Sequence, residues 1–453
     1  MSTQPPSLGA HHGLPPVKLY TETVPTVRMW TDLLERYGPI APAEIEPGAT
    51  GWLVLGFEEN RRVLTDTATF ARDPGWWREL QDGTIGPESG LRALYSKRPS
   101  AVFCDGEEHQ RYRKAILTAF AQLSEQQILH HVGEAAGLLI DAFCLHRKAD
   151  LIAQFARQVP LTVLCRLLGL GPGDTAEVCA AMQTVWEAGP DAPAARQELE
   201  QLLIRFSQEK RRNPQNDIIS GLIAAGMDDA EVCGQVTTLI SAGDEPVTQL
   251  IGNTLRMLLT DRTTRGEFQS AVSMINETVN TSLWRDPPFA MVVGRYPTRD
   301  VTIGQYHVRR GDCLVLGYGA AHADLIRRGS KDMLGANRAH LAWGAGPHTC
   351  PEAGRQMALT IAETAVEKIL QRLPDIQLAV DPDQLKPIPS MSIHGVVELP
   401  VVYKASAPEG ARGGSQLWAR PQSTMASVER QNPTRPPSRG GFLSWLLPTR
   451  QKP

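Results

Sequence analysis

The run Leu341-Ala342-Trp343-Gly344-Ala345-Gly346-Pro347-His348-Thr349-Cys350-Pro351 constrains this chain more than any other segment. Gly344 and Gly346, at alternate positions, permit backbone geometry closed to other residues and let a flat ligand approach the main chain. Cys350 precedes Pro351, and proline favours the first position of a helix. The cysteine is therefore expected at a helix N-terminus, where unpaired N–H groups and the positive dipole end stabilise a thiolate. Such a thiolate suits metal ligation. Zinc spacing is missing: His348 is two residues away, and no Cys-x-x-Cys occurs in the chain. One thiolate beside glycines that clear a flat surface points to a macrocycle with one axial protein ligand, the alternative being a buried structural cysteine.

Composition narrows the setting. The 453 residues are 42% apolar, enough for a sizeable core, and 46 basic against 49 acidic residues argue against a dedicated nucleic-acid binder. No stretch of about 18 uncharged apolar residues occurs, so no membrane-spanning helix is expected. The start, Met1-Ser2-Thr3-Gln4-Pro5-Pro6, shows no signal-peptide pattern. Seven scattered cysteines fit a reducing cytosol, so a cytoplasmic location is expected.

The first 50 residues, rich in proline and short of period, read as an extended arm over the body. Residues 51–57 read as a buried strand followed by a helical stretch from Glu58 to Leu64. The pattern from 106 to 280 is mainly helical, including Gln127–His146 and a segment from Asp229 to Leu259. Short strands broken by turns fill 289–317, and a long helix follows Pro351. The fold class is mainly α within α+β: many helices with a small segregated β region. Residues 404–453 differ in kind, with eight basic against two acidic residues, so this stretch carries +6 and leaves −9 to the rest. Their Pro, Ser, Gly and Arg content reads as a disordered tail, and Phe442-Leu443-Ser444-Trp445-Leu446-Leu447 reads as a docking patch for a protein or an anionic membrane surface, or as an untethered end.

The cysteine segment resembles the haem-binding loop of the cytochromes P-450, Phe-Gly-x-Gly-x-His/Arg-x-Cys-x-Gly. Trp343 stands for the Phe; Gly344, Gly346 and His348 match; Cys350 falls on the thiolate ligand. The resemblance spans about residues 30–403, so residues 1–30 are expected as an arm, 31–403 as the haem domain and 404–453 as the tail. It implies haem b bound through Cys350, the cytochrome P-450 fold around it, and thiolate donation that favours O–O cleavage. Other landmarks are similar in order. His109 and Arg113, four residues apart on one helical face, match the family's propionate clamp, with Arg295 and His348 joining them. Asp73-Pro74-Gly75-Trp76-Trp77 matches a signature before the substrate loop. Ser241-Ala242-Gly243-Asp244-Glu245-Pro246-Val247-Thr248 resembles the centre of the helix over the haem, where Ala242 and Gly243 leave room for dioxygen and substrate. The family's acid falls on Glu245, flanked by Asp244, and the hydroxyl is expected from Thr248 or an ordered water, because the usual threonine position is Pro246. Proline there is expected to open the helix.

Two further departures stand out. Aligned on Asp286-Pro287-Pro288, the family's Glu-x-x-Arg slot reads Thr281-Ser282-Leu283-Trp284, with Glu277 a turn early, Arg285 one residue late and Arg338 as the network's remaining partner. Loss of acid and base together avoids an uncompensated buried charge, and the chain is similar to an actinomycete-type subgroup lacking this motif. Glu352 replaces a family glycine. The resemblance implies a monooxygenase inserting one oxygen atom into a small, largely apolar molecule with electrons from a ferredoxin and its reductase. Substrate contacts are expected from the 76–104 loop, Leu239, Ile240, Phe289–Val293 and Met391–Ile393. Alternatives are a haem-binding regulatory partner with impaired oxygen activation, and peroxide-driven or oxidative-coupling chemistry.

Overall fold

Helices form here where apolar residues recur at helical spacing, and strands where short β-branched runs are cut by glycine and proline. The structure is a computed structural model and describes residues 14–21, 25–87, 89–187, 191–260, 274–329 and 337–409. Its principal helices are α1 (Val27–Tyr37), α2 (Phe57–Thr65), α3 (Gly106–Phe120), α4 (Glu125–Phe143), α5 (Gln158–Leu167), α6 (Ala192–Arg212), α7 (Asp229–Gly243), α8 (Glu245–Thr260), α9 (Met274–Arg285), α10 (Tyr318–Arg327) and α11 (Glu352–Arg372). The strands are β1 (Val17–Lys18), β2 (Ile40–Glu46), β3 (Ala49–Val54), β4 (Phe70–Ala71), β5 (Lys148–Asp150), β6 (Val292–Pro297), β7 (Val301–Ile303), β8 (Tyr306–Val308), β9 (Leu314–Leu316), β10 (Gln377–Leu378) and β11 (Pro400–Val402).

The helical part surrounds α11. A capping box pairs Ser124 with Gln127 and starts α4, whose Val132, Ala136 and Ile140 share one core with Ile361, Ala365 and Ile369 of α11. Alanines 135, 136, 362 and 365 keep the facing surfaces small, so the two helix backbones approach closely. Val232 of α7, Leu250 of α8 and Val279 of α9 enter the same core, and Ala342 and Trp343 of the cysteine loop pack against it. The main sheet runs β1-β2-β3-β9-β6-β4 beside it, with separate sheets β10-β11-β5 and β7-β8. Strand β9 is parallel to β3 and antiparallel to β6, and the β6–β9 register shifts between Val293 and Arg295. Gly294 sits at that bulge with φ +107, a conformation open to glycine, and the bulge aims Arg295. No helix among the described residues is long and apolar enough to cross a membrane.

Three expectations change and one holds. Residues 25–50 are not an extended arm: Thr26 caps α1, whose Trp30 is buried, and β2 lies inside the sheet, so the boundary at residue 30 falls within a helix. The strand ends at Val54, because Phe57 already opens α2 with Glu58 and Glu59 in its first turn. The segment from 229 is two helices broken at Asp244, the opening expected from Pro246. At the other end the boundary after 403 moves: Ser406 N–H donates to Cys144 O, and Glu409 pairs with Lys368 and Arg372. The remaining tail, with its Phe442–Leu447 patch, lies outside the described residues.

Arg372 is buried and holds Asp141 at 2.8 Å, Ala407 O at 3.1 Å and Glu409 at 3.3 Å. Truncation after Tyr403 strips two of these partners from a buried guanidinium. We expect it to lower the unfolding free energy by about 1–2 kcal/mol relative to truncation after Glu409, read by urea unfolding; equal stability would show that 404–409 contribute nothing.

Candidate functional site

The cysteine loop is a self-closed structure. Leu341–Trp343 make one tight turn, after which Gly344 and Gly346 take φ +69 and +70. Cys350 N–H donates to Trp343 O at 2.8 Å, Thr349 Oγ1 to the same carbonyl at 3.1 Å, and Thr349 N–H to Gly346 O at 3.0 Å. A side chain at 346 would collide with Leu64 O, so this glycine serves the seating of the loop on α2 rather than clearance for a flat ligand; at Gly344 the nearest atom would be 3.7 Å away. Cys350 stands two residues ahead of α11. Burial pushes its thiol up to about 11; Arg113 and Arg355 pull it down and Glu352 pushes it up. The helix end alone therefore does not create a thiolate here, whereas ligation to a cation would.

The loop is held by a neutral network. Trp284 Nε1 and Asn280 Nδ2 both donate to Asn337 O, at 2.8 and 3.0 Å. His322 Nε2 accepts from Leu341 N–H at 2.8 Å, so its proton is on Nδ1 and is donated to Trp284 O at 3.2 Å. The Trp284 ring lies 5.0 Å from His322 and 5.7 Å, edge-on, from His340. Burial holds His322 down to about 3 and His340 down to about 4, so both are neutral. Arg338 is exposed and donates to Asn276 Oδ1 at 3.0 Å, and its charge acts on His340. Glu277 and Arg285 are exposed as well.

Above the loop the central helix is open. Helix α7 ends at Gly243, Asp244 takes φ −87 and ψ −74, and α8 begins at Glu245. Pro246 has no N–H, so the Ala242 carbonyl lacks its helical donor. A cavity lies there, lined by Ala242, Gly243 and Pro246 from the helices and by Trp343 and Cys350 from the loop. The side chains of Asp244, Glu245 and Thr248 are not on its wall. Glu245 accepts from Gln249 Nε2 at 2.7 Å and faces Arg157 at 3.7 Å. Thr248 is fully buried, and its Oγ1 has no hydrogen-bond partner among the described residues.

A cationic cluster lies to one side. Arg295 is 4% exposed; its Nη1 donates to Gly294 O at 3.1 Å and its Nε has no partner among the described residues. Burial, then the neighbouring Arg72, push its guanidinium down to about 10. The rings of His109 and His348 are 4.0 Å apart, Arg113 Nη2 donates to Thr349 O, and His348 Nε2 bonds Asp105 Oδ1 at 3.1 Å. The sequence brings these four residues to one region, and the structure adds Arg72, whose Nη1 donates to Val293 O at 2.8 Å. Arg72 was invisible in the sequence because a lone arginine before Asp73-Pro74 carries no period. A buried guanidinium with no carboxylate at ion-pair distance among the described residues, and an Arg113 bonded to the residue before Cys350, fit haem and its propionates.

A second, larger cavity shares Ala242 and Phe289 with the first. Of the expected substrate positions, Tyr95, Val102, Phe103, Met291–Val293 and Ser392 line it, while Leu239 and Ile240 line the inner cavity. Arg98, within the expected 76–104 loop, and Arg196, which was not anticipated, also lie at its wall.

The neutral network sets a pH dependence. His322 and His340 stay unprotonated in the fold but protonate in the unfolded chain below about pH 6.5, so stability is full above that value and falls with pH toward about 4. Each contributes a slope of about 1.4 kcal/mol per pH unit. Urea unfolding at about pH 7 and about pH 5 is expected to show this loss, flattened in His322→Leu; equal stability at both would contradict it.

No family model matches the chain. It is 29% identical over 400 residues to a mycinamicin IV hydroxylase/epoxidase of Micromonospora griseorubida, covering 82% of this chain and 96% of that protein. It is 26% identical over 366 residues to a vitamin D(3) 25-hydroxylase of Pseudonocardia autotrophica, covering 78% and 88%. The fold superposes with TM-score 0.76 on the cytochrome P450 enzyme CxnD, at 23% identity, over 88% of this chain and all of that one. Relatives of this kind, together with a single cysteine facing an opened helix across a cavity, place the chain in the bacterial, actinomycete-type cytochrome P450 family, the haem-thiolate monooxygenases of small organic molecules.

Proposed function

We propose that Cys350 Sγ is the axial ligand of haem b in the inner cavity, and that the chain oxygenates a small molecule held in the outer one, using electrons from a ferredoxin and its reductase in the cytoplasm. The observation that carries this reading is that Cys350 lines the same cavity as Ala242 and Gly243 at the helix opening. Haem ligated by a thiolate supplies dioxygen activation and transfer of one oxygen atom to substrate. Arg295, His109, Arg113 and His348 hold its propionates, with Arg72 beside Arg295; the unpartnered Arg295 Nε supports this assignment. Hydroxylation or epoxidation, as in the names of the relatives, is the favoured outcome.

Proton supply follows from the helix opening. The Ala242 carbonyl, freed by Pro246, offers an acceptor for water at the wall shared by both cavities. Buried Glu245 faces Arg157, whose side chain is 36% exposed, so the pair links the helix opening to solvent. Asp244 and Thr248 flank that break. In our reading the chain is one of a subgroup without the Glu-x-x-Arg charges, and the Trp284 and His322 contacts to the loop, which could take the place of those charges, support that reading. A second reading, turnover driven by peroxide, is favoured by one observation: the acid and hydroxyl side chains are off the cavity wall.

Two experiments test this. Cys350→Ser is expected to abolish the red-shifted Soret band of the reduced carbon monoxide complex; a variant that keeps the band has another ligand. Pro246→Thr restores a donor to the Ala242 carbonyl and is expected to raise the fraction of NADPH electrons recovered in product with ferredoxin and reductase. Unchanged coupling, with turnover only on peroxide, would favour the second reading.

A further inference from the structure

We propose that the substrate is an anion: a largely apolar molecule with a terminal carboxylate, whose acid group is held by Arg98 and Arg196 at the wall of the outer cavity while its apolar body extends toward Ala242. This rests on the reading of the outer cavity as the substrate site.

The outer cavity is mostly apolar, with Phe103, Phe289 and Val293 along it, yet it carries three guanidiniums and one acid. Arg72 is occupied by the carbonyls of Val293 and Gly294. Arg98 and Arg196 are the cations left for a ligand. Arg98 follows the 90–95 helix, lies over the Phe103 ring at 4.9 Å, and donates one Nη2 bond to Leu94 O at 2.8 Å. That fixes its plane and leaves the rest of the fork without a carboxylate at ion-pair distance among the described residues. Burial, then repulsion from Arg196, push the Arg98 guanidinium down to about 10, so it is a charge held at a cost against another of the same sign. The only acid of the set, Glu200, is half exposed, one turn from Arg196 on α6, and 3.9 Å from its Nε. One such loose pair leaves the wall net positive.

The geometry has a functional consequence. Ala242 and Phe289 line both cavities, so the outer space adjoins the cavity on whose wall Cys350 lies. An anchored acid group at Arg98 would fix which carbon of the apolar body reaches the inner cavity, as positioning by a single charged contact does.

The test is spectral titration of the haem-loaded full chain with matched pairs of dodecanoic acid and its methyl ester, 4-phenylbutanoic acid and its methyl ester, and a steroid carboxylic acid and its methyl ester. At least one acid is expected to bind about tenfold more tightly than its ester. Arg98→Gln and Arg196→Gln should erase that preference while the ester's affinity stays within about twofold, Arg98→Lys should restore part of it, and Glu200→Gln should increase it. Acids that bind no more tightly than their esters, or fail to bind, overturn the proposal, as does an Arg98→Gln effect equal on both members of a pair. The carbon monoxide difference spectrum of every variant is the control. A normal thiolate band with no acid preference defeats the anionic substrate alone; loss of that band in the unmodified chain defeats the underlying haem reading instead.

Discussion

His322 is the joint on which the site depends. Its ring accepts from the Leu341 N–H and donates to the Trp284 carbonyl, so one neutral imidazole ties α9 and α10 to the first residue of the cysteine loop. Both partners are main-chain atoms, so the ring fixes backbone positions rather than side-chain rotamers. The loop then carries this constraint forward through the Cys350–Trp343 and Thr349–Gly346 hydrogen bonds to the sulfur. A buried ion pair in this place has to overcome the desolvation of two charges; hydrogen bonds between neutral groups have a much smaller penalty to offset. Trp284 fills the remaining volume, and its indole N–H finds Asn337 O, so the replacement leaves no orphaned donor on the tryptophan.

The loop and the central helix use opposite devices to frame one cavity. In the loop, left-handed glycines and internal hydrogen bonds make a rigid floor that sits against α2. In the helix, Pro246 removes a hydrogen bond and leaves a gap at Asp244. The sheet supplies the third element: the bulge at Gly294 turns Arg295 inward and lets Arg72 pack against the glycine. Charge in this region is unbalanced, with Arg72 and Arg295 close together and Asp105 engaged by His348 and by the N–H groups of Arg72 and Asp73. A cofactor with two carboxylates suits such a surplus.

Much of this was legible in the sequence because it is local. The loop glycines, the proline in the central helix, the four-residue spacing of His109 and Arg113, and the strands broken by Gly304 and Gly311 each encode their geometry within a few residues. The part that was not legible is assembled from distant residues. Trp284, His322 and His340 meet only through the packing of three elements, so the loss of the charged motif was visible but its replacement was not. Arg98, Arg196 and Glu200 share a wall although about a hundred residues separate the first from the others. The amino-terminal region was misread because its prolines dominate its composition, while the Trp30, Leu34 and Tyr37 face that docks α1 has too short a period to stand out.

On the proposed function, the neutral network around His322 holds the cysteine loop and so keeps haem in place. Its most direct measure is the rate at which haem leaves the loaded protein for an excess of apomyoglobin, compared among the unmodified chain, His322→Leu and His322→Asn. Because asparagine keeps one donor and one acceptor, the predicted result is loss faster by about tenfold or more in the leucine variant and closer to the unmodified rate in the asparagine variant. Equal rates in all three would contradict the claim, leaving His322 a filler of space and the loop held by its own hydrogen bonds alone.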